Sequence, residues 1–176
     1  MKRILFLLVL MQLCLATIAQ SSLSVLGVKM GTSIEAAQIY LEIKYGKEKV
    51  KKLANYIFVY DITVAYKDFD CATFCFEPAT LNKKVRTSLN SVLLDKSFTS
   101  QYEVNEAKHY WLKLLGEKYG TFSLKENPKG KFYLYRDDKD AICIETKYIS
   151  EFEYKLLIMY SDRSYKKTKN TKKIKL

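Results

Sequence analysis

The sequence predicts an α+β fold in which two helices pack on one face of an antiparallel sheet. Three observations carry that expectation: a helix start-and-stop signature that occurs twice, a switch to alternating periodicity after each helix, and turn clusters too short for crossovers. In the first signature, Thr32 follows Gly31 and offers a hydroxyl to cap a helix while Glu35 reaches back, a capping box. Ala37, Leu41, Lys44 and Tyr45 then fall on one side at helical spacing, and Lys44-Tyr45-Gly46 ends the run on glycine. In the second, Ser100 and Glu103 form the box, and Val104, Ala107, Trp111, Leu114, Leu115 and Lys118 form the stripe. Lys118-Tyr119-Gly120 repeats the stop.

After each helix, aromatic and β-branched residues take over with a period of two, which is the pattern of half-buried strands. The first set covers residues 56–66, 69–77 and, more weakly, 81–89; the second covers 131–136, 141–147 and 154–160. Within residues 69–77 the alternation puts Ala72, Phe74 and Phe76 on one face, expected to be the core, and Cys71, Thr73 and Cys75 on the other. Tyr66-Lys67-Asp68, Asp137-Asp138-Lys139-Asp140 and Ser150-Glu151 separate strands as turn chemistry does, so hairpins are expected. The chain therefore reads as α-β-β-β twice. A tandem repeat with halves 24–90 and 99–162 and a single undivided domain over 20–162 both accommodate this pattern, with polar residues 90–99 as the hinge between halves.

Lys2 and Arg3 lead into an apolar run from Ile4 to Leu15 and then into Ala16-Thr17-Ile18-Ala19, with small residues one and three places before a cut after Ala19. Residues 1–19 therefore read as a secretory signal peptide. Its apolar core is shorter than the roughly 20 residues that span a bilayer, so export to the periplasm or medium is expected rather than a transmembrane anchor. Cys14 lies inside the apolar run and not at the mature N-terminus, so a lipoprotein is not expected. Of the formal charge of +11, two positive charges belong to this segment and seven to residues 163–176, which carry no acid. The body is nearly balanced, which argues against a nucleic-acid-binding face. The terminal segment reads as a basic, flexible tail whose Lys166, Lys167, Lys169, Lys172, Lys173 and Lys175 offer contact with an anionic surface or membrane.

The stretch Leu26-Gly27-Val28-Lys29-Met30-Gly31-Thr32-Ser33-Ile34-Glu35, a glycine-rich lead into a helix followed by strands rich in aromatics, resembles the β-lactamase-inhibitor-protein-like group. That group includes small outer-membrane assembly lipoproteins, and the likeness is greater to short exported proteins of Gram-negative bacteria with no assigned activity. The resemblance spans Ser24 to Tyr160 and implies a helical unit on an antiparallel sheet, sometimes in tandem, that binds other proteins. The absence of a lipidated cysteine at the mature N-terminus departs from the assembly lipoproteins, and no contact residue carries over.

The catalytic inventory is sparse. His109 is the only histidine, about 140° around the second helix from its apolar stripe, which fits a solvated side chain. No phosphate-cradling glycine loop, Gly-x-Ser-x-Gly elbow or His-based metal cluster is present. Asp137, Asp138 and Asp140 lack the glycine and distant glutamate of a calcium loop and fit a hairpin turn, as do Asp68 and Asp70. Cys71, Cys75 and Cys143 form at most one internal disulfide, and the pair must involve Cys143, because four residues of strand hold the other two about 13 Å apart. Three small buried hydrophobes is the rival reading of these thiols. The function expected is therefore an exported, non-enzymatic module that binds another protein, with no cofactor and no metal. The alternatives are a small hydrolase acting through carboxylates or a cysteine, and an envelope-associated structural protein held by its basic tail.

Overall fold

The computed structural model describes residues 23–81, 84–128 and 130–163; the signal segment with Cys14 and the tail from Lys166 to Lys175 lie outside them. The described chain opens on a short hairpin, β1 (Ser24–Val25) and β2 (Val28–Lys29). Leu23, Val25, Val28 and Met30 are buried, so this lead-in belongs to the core.

Helix α1 (Ile34–Tyr45) follows. Its cap is Ser33, whose Oγ accepts the Ala36 N–H at 3.3 Å, one residue beyond the expected Thr32. Thr32 is engaged elsewhere: its carbonyl accepts the Leu89 N–H at 2.8 Å, and the Gly31 N–H donates to the Leu89 carbonyl at 2.7 Å. That tie to a distant strand displaces the cap. Four strands come next, β3 (Val50–Leu53), β4 (Tyr56–Val64), β5 (Lys67–Leu81) and β6 (Lys84–Phe98). Helix α2 (Gln101–Tyr119) is capped by Ser100 as the sequence expects, the Glu103 N–H reaching its Oγ at 3.2 Å. Both helices stop at glycines with positive φ, Gly46 at 91° and Gly120 at 114°, a region costly for side-chain-bearing residues. Then come β7 (Ser123–Asn127), β8 (Gly130–Arg136), β9 (Asp140–Ser150) and β10 (Glu153–Asp162).

Strands β3 to β10 form one eight-stranded antiparallel sheet in the order β3-β4-β5-β6-β10-β9-β8-β7. Two four-strand meanders meet through their last strands. The expected layer of two helices over one face, built from α-β-β-β units, is corrected by this sheet: 57% of the described residues are strand and 23% helix. The reason is dimensional, since eight strands about 4.8 Å apart span about 34 Å while a helix with its side chains is about 10–12 Å across. Two helices cannot form a layer at that width; α1 packs on β3, β4 and β6, and α2 on β6, β9 and β10. The hinge expected over residues 90–99 is also corrected, because most of it is the second half of β6. Ser91, Asp95 and Ser97 make the segment polar in composition, yet Val92 and Leu94 alternate with them and are fully buried.

Register explains the core. Ile57, Phe74, Val92, Tyr160 and Ile142 lie opposite one another on successive strands, and Val59, Ala72, Leu94, Ile158 and Ile144 form the next such row. Every one of these side chains is buried, as are Leu41 of α1 and Val104, Trp111 and Leu115 of α2. The alternation changes phase near the end of the β4–β5 pair, where Asp61 adopts φ of 49° and Ile62 and Phe69 turn inward. The hairpin closes on Ala65 and Tyr66, both at positive φ (48° and 63°), in a two-residue turn that ordinarily favours Asn-Gly. Tyr66 is 98% exposed, so little side-chain packing offsets that backbone cost.

Replacing Ala65-Tyr66 with Asn-Gly is expected to stabilise the protein by about 1 kcal/mol, the scale of left-handed strain relieved. Urea denaturation checks it; an unchanged or lowered midpoint would contradict the strain assignment.

Candidate functional site

Between the buried rows runs a row of a different kind. Phe58, Thr73, Leu93, Met159, Cys143 and Leu134 lie opposite one another across β4, β5, β6, β10, β9 and β8. Met159 is exposed and the other five are half-buried. On β4, Tyr56 and Tyr60 flank Phe58 with ring centroids 6.3 and 6.4 Å from it, because residues two apart on a strand share a face. Both tyrosines are exposed. In the adjoining row Leu157 of β10 and Phe132 of β8 lie on either side of Glu145 of β9.

The three described cysteines belong to these same rows. Cys71 and Cys75 lie opposite Tyr60 and Tyr56, and Cys143 lies opposite Met159. All three are free thiols, half-buried. The expected option of a disulfide through Cys143 is corrected by topology: β6 and β10 stand between β5 and β9, three spacings or about 14 Å. Burial pushes all three thiols up, Cys143 furthest, to about 11, with the neighbouring Glu145 carboxylate adding to it. Thiolate is the nucleophilic form, so these groups are poorly suited to covalent catalysis at neutral pH. His109 is exposed on α2, a different element from the strands that carry the thiols.

Charge on these strands is placed for structure. Burial would raise Asp70, but hydrogen bonds from Lys96 Nζ at 2.9 Å and from the Ser97 N–H at 2.7 Å overcome it and hold the carboxyl below its ordinary range. Asp95, opposite Cys71 and Leu157, is pushed up by burial, with Lys155 pulling against it. The turn expected at Asp137 to Asp140 is present: Asp137 Oδ1 accepts the N–H groups of Lys139 at 2.8 Å and Asp140 at 2.6 Å. Sequence inspection does not single out Asp162, yet it lies opposite Asp140 across β9 and β10, the two being 8% and 6% exposed. None of the described cavities opens on that pair. Among the described residues no group of three or more His, Cys, Asp and Glu is placed to hold a metal ion.

A cleft of about 510 Å³ opens beside the N-terminal half of α2. Its floor is apolar: Phe69, Trp111 and Leu156 are buried there, with the Phe69 and Trp111 rings 5.3 Å apart. Tyr110 meets Trp111 edge-on at 5.6 Å and donates its hydroxyl to the Ala65 carbonyl at 3.0 Å, tying the strained turn to the helix. Glu103 and Glu106 line the helical wall, and Lys67 and Lys96 the strand wall. Sequence reasoning does not find this cleft, because its parts come from four separated segments.

Among the described residues no helix is long and apolar enough to cross a membrane. Compared with protein families, curated proteins and solved structures, the chain matches none.

Cys143 yields a pH prediction. Its folded value lies above the unfolded one, so the stability it contributes is complete below about pH 9 and is lost as pH rises toward 11. Between about pH 8 and pH 10.5 the urea midpoint of the wild type should fall more steeply than that of Cys143→Ser, because only the wild type carries this titration. Parallel profiles would contradict the assignment.

Proposed function

We propose that the chain is an exported, non-enzymatic module that recognises another protein through the half-covered rows of its sheet. One observation carries the reading: the row from Phe58 through Leu93 and Met159 to Leu134 keeps side chains partly accessible across six strands, apolar on five of them with Thr73 on β5. Exposed apolar area of that extent needs a reason on a monomer, and partner recognition is the usual one. Tyr56 and Tyr60 add the amphipathic side chains that interfaces favour, since their rings bury area while their hydroxyls remain hydrogen-bonded. The raised thiols fit the same reading, as small apolar surface rather than nucleophiles. Export rests on the charged, apolar and small-residue pattern of residues 1–19. The resemblance to the β-lactamase-inhibitor-protein-like group implies a protein partner and supports that part of the reading.

The test compares Tyr56→Ala/Met159→Lys with the wild type in pull-down from a periplasmic or culture extract. The double variant should lose the partner that the wild type retains, with the thermal midpoint shifted by no more than about 3 °C because exposed positions contribute little to stability. Equal recovery by both proteins would reject the sheet as the recognition surface.

A further inference from the structure

The cleft beside α2 has a composition that selects a ligand class. We propose that it binds a small zwitterion with an apolar body, of the size of a dipeptide carrying large hydrophobic side chains. The site is separate from the sheet rows invoked for partner recognition and does not depend on them.

Volume sets the first limit. About 510 Å³ lies within the range of clefts that take small ligands, roughly 300–1,000 Å³, and is too small for a folded partner. The floor sets the second. Phe69, Trp111 and Leu156 present only carbon-rich surface, with Phe98 and Ala107 beside them, so the part of a ligand that reaches the bottom is apolar.

The walls decide the class. Glu103 and Glu106 stand one turn apart on α2, spaced so that both face the same ligand group. Glu103 accepts the Thr99 hydroxyl at 3.3 Å and Glu106 is exposed, with no cation bridging either one among the described residues. Facing them, Lys67 rests 4.9 Å above the Tyr110 ring, which orders the ammonium without neutralising it. Lys96 is bridged to Asp70 at 2.9 Å. Asp68 lies between Lys67 and Phe69 on β5, so alternation turns its carboxylate to the opposite face of the strand, where it accepts the hydroxyl of its cross-strand neighbour Thr63 at 2.7 Å. What remains is a pair of carboxylates on one wall and an ammonium on the other, across an apolar floor. A simple fatty acid would meet the two carboxylates with its own charge, and a simple amine would leave Lys67 unmatched. A molecule bearing both charges on an apolar body satisfies each wall. Tyr102, 74% exposed at the mouth, provides a ring that can close over such a ligand.

Trp111 is the only tryptophan of the chain and lies in the cleft floor, so its fluorescence reports occupancy directly. The purified protein is titrated with Phe-Leu, with N-acetyl-Phe-Leu and with Phe-Leu amide, and the titration is repeated on Glu106→Gln and Lys67→Gln. The proposal expects a saturable change with Phe-Leu and affinity lowered about threefold by each blocking group, the scale of a partly solvated charge pair. Glu106→Gln should weaken the discrimination against the acetylated form, because Glu103 remains, and Lys67→Gln should lose the discrimination against the amide. Both substitutions are at exposed positions, and far-UV circular dichroism verifies the fold. No saturable change with Phe-Leu would overturn the proposal. So would saturation that is indifferent to the blocking groups and to both substitutions, which would make the cleft a purely apolar site.

Discussion

The pairing of β6 with β10 is the constraint on which the rest depends. Each meander alone is a four-stranded sheet with two edges, and joining the last strand of one to the last strand of the other makes a single sheet of eight. The register runs from Phe98 opposite Tyr154 to Ser91 opposite Ser161. In that register Val92 meets Tyr160 and Leu94 meets Ile158, so the buried rows of both halves become continuous. Because side chains alternate with a period of two, a slip of one residue would send one half's core residues to the accessible side. The same register aligns Leu93 with Met159 and thereby makes the apolar row continuous from Phe58 to Leu134. The core and the accessible row are set by one seam.

Parts of this were legible in the residues and parts were not, for identifiable reasons. Both helices and their glycine stops follow from local chemistry, because a cap, a stripe and a left-handed terminus act within a dozen or so residues. The displaced cap of α1 did not, since the tie from Gly31 and Thr32 to Leu89 joins segments far apart in the sequence. Within β5 the alternation of Phe74 and Phe76 against Cys71 and Cys75 is visible because one side is strongly aromatic. In the second half of β6 three of the four outward residues, Ser91, Asp95 and Ser97, are polar and only Leu93 is not, so composition suggests a linker although the period is a strand's. The edge strands β3 and β7 are short and exposed along nearly all their length, and an edge that buries little leaves little pattern to read.

Function divides along the same line. The thiols and the acidic turn are visible in sequence, and their environments explain why they are structural: burial keeps the sulfurs protonated, and Asp137 uses its carboxylate to close a hairpin. The cleft beside α2 is invisible in sequence because Asp68, Lys96, Glu106 and Leu156 converge only after the sheet has formed. Tyr110 joins the two levels, packing on Trp111 while holding the Ala65-Tyr66 turn through its hydroxyl. Local strain at the turn is thus coupled to the wall of the cleft.

The seam itself is open to direct measurement. Nuclear Overhauser contacts in the isotope-labelled protein report which residues of β6 and β10 are opposite one another. Contacts pairing Val92 with Tyr160 and Leu94 with Ile158 are the result predicted; pairing displaced by one residue, such as Val92 with Met159, or no contact between the strands, would contradict the account.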